Sequence, residues 1–276
     1  MLIKTWGKRA TISVVGLMSA LLPSYFGALG ARSFLKPRHN TSIRHWAQAF
    51  DGFQRRNISI EDQQVPYWIK GSGPLILLVH GWERDHFTMG GFVSPLLNAG
   101  YSVVALDLPG HGAASGDYAP LPLLALSISE IASAFNQPYA VIAHSLGAAM
   151  TVLAMESYGL KPDRAILISA PRSAEDYALA QAKRQGLGKR ALHSMIEQIT
   201  AALGEPLERY RVDQALTSLT MPILVVHAED DAIVALSDAQ ENVYASQAQS
   251  LWLSGGGHNK ILADSGMIDD VLQWLK

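Results

Sequence analysis

A serine stands where an apolar segment meets a helix-favouring segment, near the middle of this chain of 276 residues. Ser145 follows the apolar run 139–143 and precedes the helix-forming stretch 148–155. Small residues two positions before and after it, Ala143 and Gly147, allow a strand and a helix to meet in a sharp turn. A serine there projects its hydroxyl away from the sheet, beside the free N–H groups of the helix start. The spacing therefore predicts a nucleophile.

A nucleophilic serine needs a base to take its proton and an acid to orient that base. The predicted strand 223–227 is followed by three adjacent acids, Glu229, Asp230 and Asp231, and the last predicted strand runs into three glycines and His258. We predict that His258 is the base, because it is the one histidine that follows the acids in the chain. Asp231 is favoured as the orienting acid and Asp230 is second. The alternative is that these are turn carboxylates and a loop histidine without a catalytic role.

Two backbone N–H groups are predicted to bind the oxyanion that forms when the serine attacks. Leu146, directly after the serine, supplies the first. The second comes from the loop after the predicted strand 75–80, where Gly81 permits a close approach of the backbone and Trp82 carries the N–H. The indole ring of Trp82 either lines an acyl pocket or packs as a large side chain, and the sequence favours neither.

The other polar residues near these motifs are predicted to have structural roles. His80 is expected to hold the oxyanion loop by hydrogen bonding, and the segment 107–112 is expected to form a turn beside the site. His144 is not predicted to be the base, since neighbouring positions at a sharp turn point in different directions. The chain has neither a metal-ligand spacing of the H-E-x-x-H kind nor a phosphate-binding glycine loop, and we predict no metal and no cofactor.

Composition limits the possible classes of protein. Apolar residues make up 49% of the chain and charged residues 17%, which is typical of a globular α/β enzyme. The net charge of −2 gives no reason to expect a nucleic-acid partner. The chain has no cysteine, which excludes disulfides, thiolate chemistry and cysteine-ligated zinc, and permits a cytoplasmic location.

Short apolar segments alternate with helix-favouring segments, which predicts a parallel sheet wound through right-handed crossovers. The predicted strands are 57–61, 65–70, 75–80, 102–106, 139–143, 164–169, 223–227 and 250–253. The predicted helices are 92–99, 121–135, 148–155, 237–244 and 268–276. The interval 171–220 offers no strand, and we predict a small helical cap there, over the carboxyl ends of the strands.

Residues 1–50 are predicted to be a separate basic and apolar helical segment, followed by the main domain, 51–276. An apolar stretch, 10–31, has basic residues on both sides and no acid precedes Asp51. These basic residues are Lys4, Lys8, Arg9, Arg32, Lys36 and Arg38. Four possibilities remain: a helix packed on the domain, a peripheral helix on an anionic membrane surface, a membrane anchor, or a cleaved signal. The predicted location is cytoplasmic, with possible membrane association.

Taken together, these motifs resemble the α/β-hydrolase superfamily, in particular its bacterial members described as esterases or lipases. The matching segments are 80–82, 107–112, 143–147, 231–234 and 257–258. The resemblance implies the α/β-hydrolase fold, with a mostly parallel central sheet flanked by helices. The chain departs from the usual pattern at Ala143, where glycine is common, and at Ala228 and Ala235 near the acid. Ser145 excludes the branches of this fold that use an aspartate nucleophile.

These observations predict a serine hydrolase that cleaves carboxylic esters through a Ser-His-Asp triad and an acyl-enzyme. The expected partner is a small-molecule ester with an apolar acyl group. Thioesters, lactones and perhydrolysis are alternatives for the same triad. A ligand-binding sensor built on a hydrolase scaffold is the alternative from another class of protein.

Overall fold

The computed structural model describes residues 2–38 and 44–276, with side chains from residue 12 to 38 and from residue 46 to 276. This part of the chain divides into two compact units. The helical unit contains the chain up to Lys36 together with Ser173–Tyr210. The sheet unit contains Pro37–Arg172 and Arg211–Lys276, and with them every residue predicted to be catalytic.

An eight-stranded sheet forms the centre of the sheet unit. Its strands are β1 Gln54–Ile60, β2 Gln63–Lys70, β3 Leu75–Val79, β4 Ser102–Leu106, β5 Ala140–His144, β6 Arg164–Ile168, β7 Ile223–Ala228 and β8 Gln249–Leu253. Their spatial order is β1-β2-β4-β3-β5-β6-β7-β8. The pairs β1–β2 and β2–β4 are antiparallel and the others are parallel, which confirms the predicted mostly parallel sheet.

Eleven α-helices are described in the two units. They are α1 Leu2–Leu21, α2 Pro23–Leu35, α3 Val93–Asn98, α4 Leu121–Ser133, α5 Leu146–Ser157, α6 Ala174–Arg184, α7 Lys189–Leu203, α8 Val212–Leu216, α9 Leu236–Ser246, α10 Gly257–Lys260 and α11 Ser265–Leu275. Short 3₁₀ segments lie at Arg44–Phe50, His86–Phe92, Leu207–Arg209 and Ile261–Ala263.

Two local predictions differ from the structure. The predicted strands 57–61 and 65–70 leave three residues for the turn between them. The observed hairpin has only two loop residues, because Ile60 already pairs with Gln63. The helix expected at 92–99 is preceded by a 3₁₀ segment that the sequence did not indicate. Gly90 in that segment packs so closely on Trp46 that an added Cβ would lie 2.2 Å from the Trp46 Cβ.

The parallel strands are buried on both faces, as continuous apolar segments require. The side chains of 76–79, 103–106 and 140–143 have no accessible surface. Polar residues appear where these strands end, with His80 after β3, Asp107 after β4 and His144 as the last residue of β5. All three are buried, so the carboxyl edge of an apolar sheet carries a set of shielded polar groups.

In the helical unit, α2 lies against α7 through small residues. An added Cβ at Gly27 would lie 2.7 Å from the Ser194 Cβ, and one at Gly30 would lie 2.7 Å from the Met195 Sδ. α1 is tied to the segment before α7 by the Ser19 hydroxyl, which accepts the N–H of Gly188 at 3.0 Å. The interval predicted as a cap is helical, with α6 and α7 in this unit; its role as a cap stays a prediction.

The opposite side of α1 and α2 exposes large apolar side chains, which we call the apolar face. It consists of Val14, Leu17, Met18, Leu21, Leu22, Tyr25 and Leu29, each with between 38% and 67% of its surface exposed. An ordinary surface helix buries such residues and exposes polar ones. In α1 and α2 this arrangement is reversed, because Ser19 and Gly27 are on the side that packs within the helical unit.

The side chains of the N-terminal basic residues are described only in part. Lys4, Lys8 and Arg9 lie outside the residues whose side chains are described. Arg32 is exposed, one turn beyond Leu29. Within the described residues, none of the helices combines the length and the apolar character needed to cross a bilayer.

Candidate active site

Ser145 lies in the sharp turn between β5 and α5. Its backbone has φ 54° and ψ −125°, a strained conformation for a residue with a side chain. Hydrogen bonds hold it there: the Ser145 N–H donates to the carbonyl of Ile168 at 2.8 Å, and the Ser145 carbonyl accepts the N–H groups of Ala148 and Ala149. The turn predicted from the sequence therefore exists, with the serine at its tip.

The structure brings Ser145, His258 and Asp231 together in one hydrogen-bonded chain. The Ser145 Oγ and the His258 Nε2 are 2.9 Å apart, and the His258 Nδ1 lies 2.8 Å from the Asp231 Oδ2. These three residues come from the carboxyl ends of β5, β7 and β8. An imidazole between a hydroxyl and a carboxylate can take the hydroxyl proton while the carboxylate stabilises the resulting positive charge.

The Asp231 carboxylate is held in its ionised form by its neighbours. Its side chain is buried, which by itself would raise the pKa of the carboxyl group. The hydrogen bond and charge of His258 and the N–H groups of Ile233 and Val234 outweigh burial, and the pKa of Asp231 is lowered. Those two N–H groups donate to Oδ1 at 2.7 and 3.0 Å. One carboxylate oxygen therefore remains for His258.

The neighbouring acid, Asp230, has a different contact. Its Oδ1 accepts the backbone N–H of Gly257 at 2.7 Å, directly before His258 in the chain. Glu229 is exposed and contributes its backbone N–H to the carbonyl of Leu253. Of the three adjacent acids, Asp231 is the one whose carboxylate meets the imidazole.

The loop predicted to carry the second oxyanion donor lies against the serine. An added Cβ at Gly81 would be 3.0 Å from the Ser145 Cβ, so a side chain there would require the neighbouring atoms to shift. The His80 Nδ1 donates to the Gly81 carbonyl at 2.8 Å, which fixes the plane of the peptide that carries the Trp82 N–H. In a trans peptide that N–H points away from the carbonyl. Leu146, the first residue of α5, has no acceptor for its N–H in a preceding helical turn.

His80 is neutral and bonds with both ring nitrogens. Its Nε2 accepts the N–H of Leu108 at 3.0 Å, so the ring proton lies on Nδ1. Burial lowers the pKa of His80, which keeps the ring uncharged. The ring of Trp82 meets that of His111 edge to face, at 4.9 Å between centroids.

Asp107 anchors the turn that was predicted beside the site. Its Oδ1 accepts the N–H and the Nδ1–H of His86 at 2.7 and 2.8 Å, and its Oδ2 accepts the N–H of Ala113. Burial alone would raise the pKa of Asp107, but its bonds to His86 and Ala113 lower it. Trp68 stacks on His86 at 3.5 Å. Within the residues that the structure describes, none of these hydrogen bonds reaches Ser145.

Two histidines near the triad have contacts that sequence reasoning missed. The His144 Nε2 donates to the backbone carbonyl of His258 at 2.8 Å. The His227 Nε2 donates to the carbonyl of Val234 at 3.2 Å and lies 3.7 Å from the Asp231 Oδ2. The His144 bond joins segments 114 positions apart, whereas the His227 contacts stay within one turn after β7. The one available signal for both was their position at the ends of apolar strands.

The arrangement brings together a serine hydroxyl, an imidazole, a carboxylate and backbone N–H groups, which are the groups that acyl transfer requires. Within the described residues, no group of three or more histidine, cysteine, aspartate or glutamate side chains could hold a metal ion.

Comparison with known proteins places this site in a family. The model of the "Alpha/beta hydrolase family" matches residues 76–272. A pimeloyl-[acyl-carrier protein] methyl ester esterase of Xanthomonas oryzae pv. oryzae is 27% identical over 247 residues, which cover 74% of this chain and 95% of that protein.

Solved structures share the fold at low sequence identity. The esterase Pf2001 of Pyrococcus furiosus superposes with a TM-score of 0.68 at 18% identity, covering 87% of this chain and 97% of the other. A bacterial membrane phospholipase A superposes with a TM-score of 0.62 at 18% identity, covering 100% of this chain and 98% of the other.

The sharp turn requires a glycine at position 147, and a substitution can test this requirement. An added Cβ there would lie 2.1 Å from the His80 carbonyl oxygen, so the Gly147→Ala variant must push two backbone segments apart. We expect it to lower the free energy of unfolding by about 1–3 kcal/mol or more, measured by urea denaturation. The matched control is Ala143→Gly, which introduces the common residue of this motif and should cost about 1 kcal/mol or less. Wild-type stability of Gly147→Ala would contradict the close approach.

Proposed function

The chain belongs to the alpha/beta hydrolase family, and we propose that it is a serine hydrolase that cleaves carboxylic esters. The observation that carries this proposal is the hydrogen-bonded chain from Ser145 through His258 to Asp231. The esterase named among its relatives supports the same reaction class.

Ser145 and His258 exchange protons in both halves of the proposed reaction. The Ser145 Oγ attacks the ester carbonyl carbon while its proton passes to the His258 Nε2, and Asp231 stabilises the imidazolium. The tetrahedral intermediate collapses when the bond to the alkoxy group breaks, and His258 gives that oxygen the proton. Water then attacks the acyl-enzyme, His258 takes its proton, and the acid leaves as Ser145 recovers its hydroxyl proton.

The N–H groups of Trp82 and Leu146 are the proposed donors to the oxyanion. Gly81 brings the first peptide beside Ser145, and the start of α5 provides the second. Preorganised donors of this kind stabilise charge that develops only in the transition state.

The proposed substrate is a small-molecule ester with an apolar acyl group. A relative is named for a methyl ester of a pimeloyl group, which supports a carboxylic ester as substrate. Thioesters, lactones and perhydrolysis use the same triad and are distinguished by a substrate panel. A ligand-binding sensor would have a serine that is not activated.

Replacement of the nucleophile is the first test. Ser145→Ala removes the attacking oxygen, and we expect hydrolysis of nitrophenyl esters to fall by about 10⁴-fold or more. The measurement is a panel of nitrophenyl esters and thioesters of increasing acyl length, with labelling of Ser145 by a fluorophosphonate. Retained turnover in the variant would exclude the scheme. A wild-type serine that resists the fluorophosphonate while the protein binds apolar ligands would favour the sensor.

The two adjacent acids offer a matched pair. Asp231→Asn leaves no carboxylate to orient His258 or to balance its charge, and we expect kcat to fall on the order of 10³–10⁴-fold. Asp230→Asn keeps an oxygen that can accept the Gly257 N–H, so the loss should stay below about tenfold. The reverse order of the two losses would reassign the acid.

We also propose that the apolar face of α1 and α2 contacts an anionic membrane surface from the cytoplasmic side. Apolar exposure at 14, 17, 18 and 21 follows the spacing of one helix face. Leu22 lies between the two helices, and 25 and 29 continue the exposure on α2. The first 50 residues contain basic and no acidic side chains, which complements anionic headgroups. The membrane phospholipase A, whose structure superposes on 100% of this chain, is consistent with this proposal.

Vesicle sedimentation of the full chain tests this contact. The protein should sediment with phosphatidylglycerol vesicles, and less with phosphatidylcholine vesicles or in about 1 M salt, where charges are screened within about 3 Å. The double variant Leu17→Glu/Leu21→Glu should lose sedimentation. Tyr244→Glu is the control, because Tyr244 is 85% exposed on α9 of the sheet unit. Failure to bind vesicles, with a dimer that the double variant dissociates, would assign the face to a second copy instead.

A further inference from the structure

The proposed base stands on a segment with little support of its own. His258 lies in α10, a helix of four residues, after two glycines with left-handed backbone, Gly256 at φ 116° and Gly257 at φ 53°. Residues 255–258 are only partly buried. A segment of this kind samples several positions unless outside contacts fix it, and proton transfer needs the imidazole within hydrogen-bond reach of the hydroxyl.

Contacts on both sides of His258 fix its backbone. On the amino side, the Gly257 N–H donates to Asp230, whose residue is exposed to solvent. On the carboxyl side, the His258 carbonyl accepts the Nε2–H of His144 at 2.8 Å. His144 has only 1% of its surface exposed, so the donor of this second bond is shielded from water. We expect the contact with this shielded donor to restrain the segment more than the contact with the exposed Asp230 does.

We propose that His144 is a positioning residue for the base, because its Nε2–H holds the backbone carbonyl from which the His258 imidazole reaches Ser145. The inference rests on the proposed role of His258 in ester hydrolysis. His144 directly precedes Ser145, so the same strand end carries the nucleophile and holds the base. The distance between the two reacting groups then depends on β5 and on this hydrogen bond.

The chemistry of the His144 ring supports a donor role and no other. A carbonyl oxygen faces Nε2, so Nε2 carries the proton and Nδ1 does not. Nδ1 is buried and, within the described residues, has no hydrogen-bond partner. It lies against Gly81, where an added Cβ would be 3.0 Å away. An apolar side chain at position 144 would fill this space and would avoid the cost of burying the unpaired Nδ1 acceptor. The advantage of histidine at this position is therefore the hydrogen-bond donor at Nε2.

His144 also stays neutral beside a base that becomes charged. Burial, together with the nearby charge of His258, lowers the pKa of His144 to about 3. The ring therefore does not compete with His258 for the serine proton. The ring centroids of the two histidines are 4.9 Å apart, close enough for a second charge to oppose the first.

Three substitutions separate the donor from the bulk of the side chain. In His144→Gln the amide nitrogen lies at about the reach of Nε2, whereas in His144→Asn it lies at the reach of Nδ1. His144→Phe keeps a ring without a donor. We expect kcat for a nitrophenyl ester to fall about 10²-fold in the Asn and Phe variants, because a misplacement of about 1 Å has this effect. KM should change less than about twofold, and the Gln variant should stay within about fivefold of wild type.

The rate of Ser145 labelling by a fluorophosphonate is measured in parallel with thermal unfolding. Labelling should slow in the Asn and Phe variants and recover in the Gln variant, with no matching order in the unfolding temperatures. Equal losses in Gln and Asn, or losses that follow the unfolding temperature, would overturn the positioning role. If the Phe variant does not fold, the comparison of Gln with Asn decides. A wild-type serine that is not labelled would instead overturn the proposed function.

Discussion

The close approach of the start of α5 to the end of β3 is the constraint on which the site depends. Gly147 lies so near the His80 carbonyl that no side chain fits between them. The nucleophile and the oxyanion loop are therefore parts of one packed contact. The strained backbone of Ser145 persists there because its N–H and carbonyl are both bonded, on β6 and within α5. Strain of this kind survives only where the surroundings over-determine the conformation.

Three neutral histidines extend this contact to the other loops. His80, His144 and His227 lie at the carboxyl ends of β3, β5 and β7, and burial lowers the pKa of each ring. Each donates one N–H to a backbone carbonyl, at Gly81, His258 and Val234 respectively. Carbonyls beyond the last ladder bond of a strand need donors if they are buried. A neutral imidazole supplies the donor without bringing a second charge beside the base.

The positions of the strands along the chain and the three triad candidates were accessible from the sequence, because parallel strands place their carboxyl ends along one edge. The contacts of His144 with His258 were not, since they join residues 114 positions apart and depend on how the loop after β8 folds back. In the sequence, the glycines at 27 and 30 lie within the apolar stretch 10–31 and carry no sign of a packing role. The structure shows them instead as the surface that packs on α7, a pairing for which helical periodicity gives no signal.

The division of work between Asp230 and Asp231 follows from their environments rather than from their chemistry. Both are aspartates on one short turn. The Asp230 carboxylate is exposed and accepts one backbone N–H, whereas the Asp231 carboxylate is buried and faces three donors. Burial opposes ionisation, so Asp231 needs its donors to remain charged. Once ionised in a shielded place, it stabilises a positive imidazole more than an exposed carboxylate would, because water screens the exposed one. Asp231 thus stabilises the charge of the imidazole, whereas Asp230, the same residue type, holds the loop that carries it.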